Sequence, residues 1–98
     1  MTPEARCKQR VRKILDAANV YYFLPPGSGY GRAGIPDIIA CVNGFFLAIE
    51  CKAGKGKTTA LQDRELERIQ TAGGATLVIY DTEEDMLRLQ LELVRLQK

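Results

Sequence analysis

Two apolar runs, 35–42 and 45–52, dominate the middle of the chain, and only Asn43-Gly44 separates them. Both are rich in β-branched and aromatic residues, and a two-residue Asn-Gly link between such runs is the strongest short-range hairpin signal. Upstream the period changes. Cys7, Val11, Ile14, Leu15 and Ala18 recur at helical spacing, with Thr2 as cap, Pro3 at the first helical position, Glu4 at the positive end of the dipole and Asn19 as the stop. "VYYFL" (20–24) reads as a short strand, and "PPGSGYGRAG" as a loop. Downstream, 59–72 forms a helix with Leu61, Leu66, Ile69 and Ala72 facing inward, ended by Gly73-Gly74. "ATLVIY" is a buried strand; Asp81 with Glu84 three residues on starts a last helix, from Thr82 almost to the end. The order is α-β-β-β-α-β-α, expected as one α/β domain spanning 1–98. The last strand follows a helical crossover, so it lies parallel to the strand before that helix.

Composition narrows the function only a little. With 46% hydrophobic and 27% charged residues and a net charge of +2, the chain has an ordinary globular balance. No apolar run is long enough for a membrane helix, and the charged stretch 3–13 is unlike a signal peptide. Three cysteines, no histidine and no C-x-x-C spacing argue against a disulfide framework and a structural zinc site. Cys7, Cys41 and Cys51 are therefore expected as reduced, mostly buried thiols of a cytoplasmic protein.

Charge placement is more telling. A two-residue turn sets Val42 opposite Phe45, and stepping back along both strands brings Asp37 opposite Glu50. Directly opposed residues share one side of a sheet, and alternation puts Lys52 on that side too. Opposed like charges destabilise a sheet; a divalent cation between them reverses the sign. Carboxylate oxygens suit Mg²⁺ or Mn²⁺, which lower the pKa of bound water and stabilise charge on a phosphoryl oxygen, while a neighbouring lysine serves the attacking water. On residue chemistry alone two readings stand: this metal site, or acids that fray into solvent with Lys52 paired to one of them.

The stretch Pro36-Asp37 … Glu50-Cys51-Lys52 resembles the PD-(D/E)XK nuclease motif, and the element order resembles that superfamily's core. Glu4 on the first helix, "GIPD" from Gly34, "ECK" from Glu50, and Gln62 in a helix followed by Gly-Gly are together similar to the virus-type replication-repair nuclease (VRR-NUC) family, stand-alone phage type. The resemblance covers nearly the whole chain. It implies a three-layer restriction-endonuclease-like core, with helices flanking a mixed central sheet. It also implies metal-dependent endonuclease hydrolysis of DNA phosphodiester bonds. Asp37 and Glu50 would ligate Mg²⁺ or Mn²⁺ with the backbone carbonyl of Cys51, Lys52 would serve the water, and the substrate would be branched, Holliday-junction-like DNA. A homodimer acting in phage replication, recombination or repair, inside a bacterial host, would be the context.

Other residues are weighed beside that frame. Glu4 continues the helical face of Cys7, Val11, Ile14 and Ala18, so it is either a metal-site acid, directly or through water, or a helix-dipole acid. Gln62 shares a face with Leu66 and Ile69 and is either a catalytic-site amide or a boundary amide. Gly29 to Gly34 is formally G-x-G-x-x-G, but a strand follows instead of a helix, which excludes a dinucleotide fingerprint. Tyr30 and Arg32 there are candidate DNA contacts by stacking and by phosphate pairing. "GKGKT" lacks the first Walker glycine, with Cys51 in its place, so no nucleotide cofactor is expected, and Lys55 and Lys57 are candidates for DNA phosphates. The basic run Arg6, Lys8, Arg10, Arg12 and Lys13 reads as a solvated helix face. In the last helix Met86, Leu89, Leu93 and Leu96 mark one apolar stripe, and Leu87, Leu91 and Val94 a second that suits a symmetric partner. A non-catalytic DNA-binding module, a restriction-type nuclease of linear duplex and a purely structural domain are the alternatives.

Overall fold

A computed structural model describes residues 1–26 and 33–98. The candidate DNA contacts Tyr30 and Arg32 lie outside the described residues. The elements are α1 (Pro3–Ala17), β1 (Tyr21–Phe23), β2 (Ile38–Val42), β3 (Phe45–Lys52), α2 (Ala60–Thr71), β4 (Ala75–Tyr80) and α3 (Glu83–Leu96). They follow the expected α-β-β-β-α-β-α order. The strands form one mixed sheet in the order β1-β2-β3-β4, antiparallel across β1–β2 and β2–β3 and parallel across β3–β4.

The hairpin register is the one the Asn-Gly turn demands. Val42 pairs with Phe45, and the ladder runs back to Ile38 opposite Ile49. Asn43 and Gly44 both take left-handed backbone angles, φ 51° and 85°, as a primed two-residue turn requires. One face of the sheet is dry: Ile38, Ala40, Val42, Leu47, Ile49, Cys51, Leu77 and Ile79 meet Cys7, Val11 and Leu15 of α1 and Met86, Leu89, Leu93 and Leu96 of α3. These two helices form one outer layer, and α2 the other.

The second face is covered only in part, which departs from the buried thiol expected at Cys41. Ala48 and Glu50 are buried there, while Phe46 and Cys41 stay exposed. Cys41 is thus not a core thiol, because among the described residues no helix lies over β1 and β2 on that side. The inward stripe of α2 also differs. Leu66 and, unexpectedly, Glu65 are buried, whereas Leu61 is 44% exposed and Ala72 is exposed. The helix sits over the β3–β4 half of the sheet, so its flanks reach past the apolar surface.

Caps fall close to the expected places. Thr2 accepts from the Ala5 amide, and Thr59 with Gln62 forms a capping box. At α3 the capping side chain is Thr82, accepting from Asp85, and not Asp81. Asp81 instead pairs with Arg6 at 3.2 Å and Arg10 at 2.7 Å. The basic run on α1 is therefore largely an ion-pairing face, since Arg10 also pairs with Glu83 and Lys8 with Asp37.

Candidate active site

Asp37 stands one residue before β2, and Glu50 lies near the end of β3. Extending the ladder one step beyond Ile38–Ile49 sets them face to face. A hydrogen bond pins this geometry: the Cys51 amide donates to Asp37 Oδ2 at 2.8 Å. On its other oxygen, Asp37 Oδ1 lies 3.4 Å from Lys8 Nζ, which reaches over from α1.

Glu50 is the unusual member. It is 2% exposed, and its Oε2 is buried without a hydrogen-bond partner. Burial, reinforced by the facing Asp37 carboxylate, pushes its carboxyl up to about 8, and the nearby Lys52 ammonium pulls only weakly the other way. Such a group is costly to ionise unless a cation joins it. Hard oxygen donors from two facing acids, one of them with an orphaned oxygen, fit a hard divalent cation. Cys51 does not add a thiolate, since its side chain enters the opposite, dry face. There burial raises its thiol further, and Cys7 Sγ donates to the Ile79 carbonyl. What Cys51 can offer is its backbone.

Local structure explains why Asp37 arrives here. Gly34 has φ +86°, and a Cβ on it would sit 2.5 Å from the Leu61 carbonyl oxygen and 2.8 Å from the Gln62 amide. Only glycine permits this contact, which seats the "GIPD" segment on the first turn of α2. Pro36 is buried beside it. The start of β2 is thereby held between α2 on one side and Lys8 of α1 on the other.

The remaining candidates fall into three groups. Lys52 ends β3, half-buried, paired with Tyr80 of β4, and its charge is felt by Glu50. Glu4 is half-buried on α1 one turn before Lys8, near enough for its charge to act on that ammonium. Among the described residues, no three acidic, histidine or cysteine side chains converge as a ready-made metal cage. Gln62 is half-buried in the first turn of α2, where Oε1 accepts from the Thr59 amide at 2.9 Å. Lys55 and Lys57 are exposed on the loop after β3, and Tyr80 Oη holds that loop by donating to the Gly56 carbonyl at 2.6 Å.

Two residues were missed by sequence reasoning. Lys8 was grouped with a solvated face, although its spacing from Glu4, one helical turn, was a usable signal. Glu65, 3% exposed on α2, lies 3.7 Å from Arg68 across Oε2–Nη1. Its place at 65, between Gln62 and Ile69 on the inward stripe, was the signal there.

Comparison with known proteins identifies the family and the fold. A family model described as archaeal Holliday junction resolvase (Hjc) matches residues 9–93, a span that includes Asp37, Glu50, Lys52 and Gln62. The nuclease candidate p44 of Acyrthosiphon pisum secondary endosymbiont phage 1 is 38% identical over 77 residues, covering 78% of this chain and 76% of that protein. A solved VRR-NUC domain superposes with a TM-score of 0.79 at 24% identity, over 93% of this chain and 97% of its own. A second VRR-NUC domain protein gives 0.74 at 18% identity, over 97% and 90%. The chain belongs to the archaeal Holliday junction resolvase (Hjc) family of nucleases and carries the restriction-endonuclease-like fold of VRR-NUC domains.

Proposed function

We propose that this nuclease is a divalent-metal-dependent endonuclease that hydrolyses phosphodiester bonds in branched DNA such as four-way junctions. It acts as a homodimer in phage or prophage replication, recombination or repair, in the cytoplasm of a bacterial host. The observation that carries the reading is the facing pair Asp37 and Glu50, with an orphaned buried carboxylate oxygen and a lysine on the next position of the same face.

Mg²⁺ or Mn²⁺ bound there would supply an acidified water and a charge partner for the phosphoryl oxygen. Asp37 and Glu50 would hold the ion, together with the Cys51 carbonyl. The Cys51 amide keeps Asp37 oriented. Lys52 orients the attacking water and stabilises negative charge developing on the phosphate. Glu4 contributes through a bound water. The Oε1 of Gln62 is engaged in the capping box, so its NH₂ group is the donor offered to the scissile phosphate. Lys55 and Lys57 contact backbone phosphates beyond the active centre, with Arg32, while Tyr30 stacks at the distorted junction.

The dimer rests on α3. Leu87, Leu91 and Val94 are 55%, 60% and 55% exposed on the side away from the core, an apolar stripe that no other described residue covers. A two-fold copy would cover it and present two active centres, one for each strand to be cut.

The test is cleavage of linear duplex, flap and four-way-junction DNA in Mg²⁺, Mn²⁺ or EDTA. Junction cutting that EDTA abolishes, and that Asp37→Ala and Lys52→Ala each lose, is the expected result. Cutting in EDTA, or unchanged cutting by both variants, overturns the mechanism. Preferential cutting of linear duplex would replace the branched substrate. Light scattering should give about twice the 10.9 kDa chain mass, falling to the monomer in Leu91→Glu.

A further inference from the structure

Lys8 carries a role that neither the motif nor the family match covers, since the matched span begins at residue 9. Its Nζ lies 3.4 Å from Asp37 Oδ1, and both side chains are largely shielded, at 34% and 18% exposed. Burial works against its charge, but Asp37 first and Glu4 after it more than offset that, so the ammonium is held above its ordinary value. Its basic neighbours on α1 are differently engaged, with Arg6 and Arg10 both on Asp81. Lys8 alone among these is aimed at the acid pair.

Charge balance makes this placement informative. Without a metal ion, the Asp37 carboxylate already has the Lys8 ammonium beside it, 3.4 Å away. A divalent cation joining Asp37 and Glu50 would bring two positive charges to the same Asp37 carboxylate that Lys8 already pairs with. The ammonium would then be surplus, and like charges at such range repel strongly where solvent is partly excluded. Glu4, one turn earlier on the same helix, is an anion to which a displaced Lys8 can swing.

We propose that Lys8 is a tethered counter-ion of the acid pair, holding Asp37 in place until a divalent cation arrives and yielding Asp37 to that cation when it binds. This rests on the metal-site reading of Asp37 and Glu50. Lys8 is in this sense a positioning residue: it preserves the geometry of Asp37 in the empty site and sets the affinity at which metal enters.

Calorimetric titration of the purified full chain with Mn²⁺ alone, without DNA, tests it, paired with thermal melts in EDTA and in saturating Mn²⁺. Lys8→Met should bind Mn²⁺ about three- to tenfold more tightly, because a competing cation is gone. It should melt about 2–5 °C lower in EDTA, with that deficit erased by Mn²⁺. Lys8→Arg, which keeps the charge, should restore both values towards the wild type. A merely structural lysine would lower the melting temperature equally with and without Mn²⁺. That pattern, or Mn²⁺ affinity unchanged or weakened in Lys8→Met, overturns the proposal. Asp37→Asn separates the two ideas. If it binds Mn²⁺ as well as the wild type, the metal-site reading itself fails; if it loses binding while Lys8→Met is unaltered, only the counter-ion role fails.

Discussion

The two ends of the β2–β3 hairpin follow opposite rules. At the turn, Asn43 and Gly44 adopt the backbone angles their side chains allow, and Asn43 Nδ2 reaches the Leu96 carbonyl at the end of α3 at 3.4 Å. Nothing there is frustrated. At the other end Asp37 and Glu50 face each other, and a buried carboxylate oxygen has no hydrogen bond. The turn favours folding; the acid end opposes it, and metal binding is the use proposed for it. A ladder of apolar pairs joins the two, so an accurate turn is what keeps the strained end in register. Stability at one end supports the unfavourable arrangement at the other, the pattern expected if the acid pair is the proposed site.

The largest effect should come from breaking the acid end chemically. Glu50→Gln keeps shape and removes the charge a cation needs, so cleavage measured under single-turnover conditions should fall at least about 100-fold. The same variant should sharpen the comparison by being more stable. The carboxyl of Glu50 stands near 8 when folded, against an ordinary 4.5. The folded chain therefore holds a proton that the unfolded chain releases, and stability declines as pH rises from 4.5 to about 8. Glutamine cannot ionise. In EDTA, denaturant unfolding should show Glu50→Gln ahead of wild type by on the order of 1–3 kcal/mol at pH 8, with the gain vanishing below pH 4.5.

Next in size is the clamp behind the acid end. Gly34→Ala would force a Cβ to within 2.5 Å of the Leu61 carbonyl and strain a φ of +86°. A loss of about 2–4 kcal/mol is expected, seen as a melting temperature lower by more than 10 °C. Smallest is the turn itself. A Cβ on Gly44 meets nothing within 4 Å, so Gly44→Ala carries only the conformational cost of a left-handed residue, about 1 kcal/mol. Its melting temperature should drop by several degrees while Mn²⁺ affinity stays unchanged. A larger loss of metal binding than of stability would mean that the turn, and not the ladder, governs the acids.

Some of this was legible in the chain and some was not, and the division has a physical basis. Periodicity and caps are short-range. Pro3 and Thr2 start α1, Thr59 and Gln62 start α2, and Asn43-Gly44 sets a register that carries Asp37 to Glu50 across the hairpin. Each is dictated by backbone angles and by neighbours a few residues apart. Burial on the second face was misjudged because apolar sequence alone does not say which helix lies over which strands. Cys41 is exposed because α2 covers the other half of the sheet, Phe46 because it lies at the turn end of β3 beside the last turn of α2, and Leu61 because it lies on that helix's flank.

The site divides in the same way. The hairpin pattern placed Asp37, Glu50 and Lys52 on one face, since a period of two and a two-residue turn leave no other arrangement. Only the packing of α1 across the sheet brought Lys8 onto Asp37, and only the approach of α2 to Gly34 fixed where β2 begins. Those contacts join residues 27 and more positions apart. Their geometry depends on how whole helices seat on a twisted sheet, which is set by the sum of the core contacts and by no local run of residues.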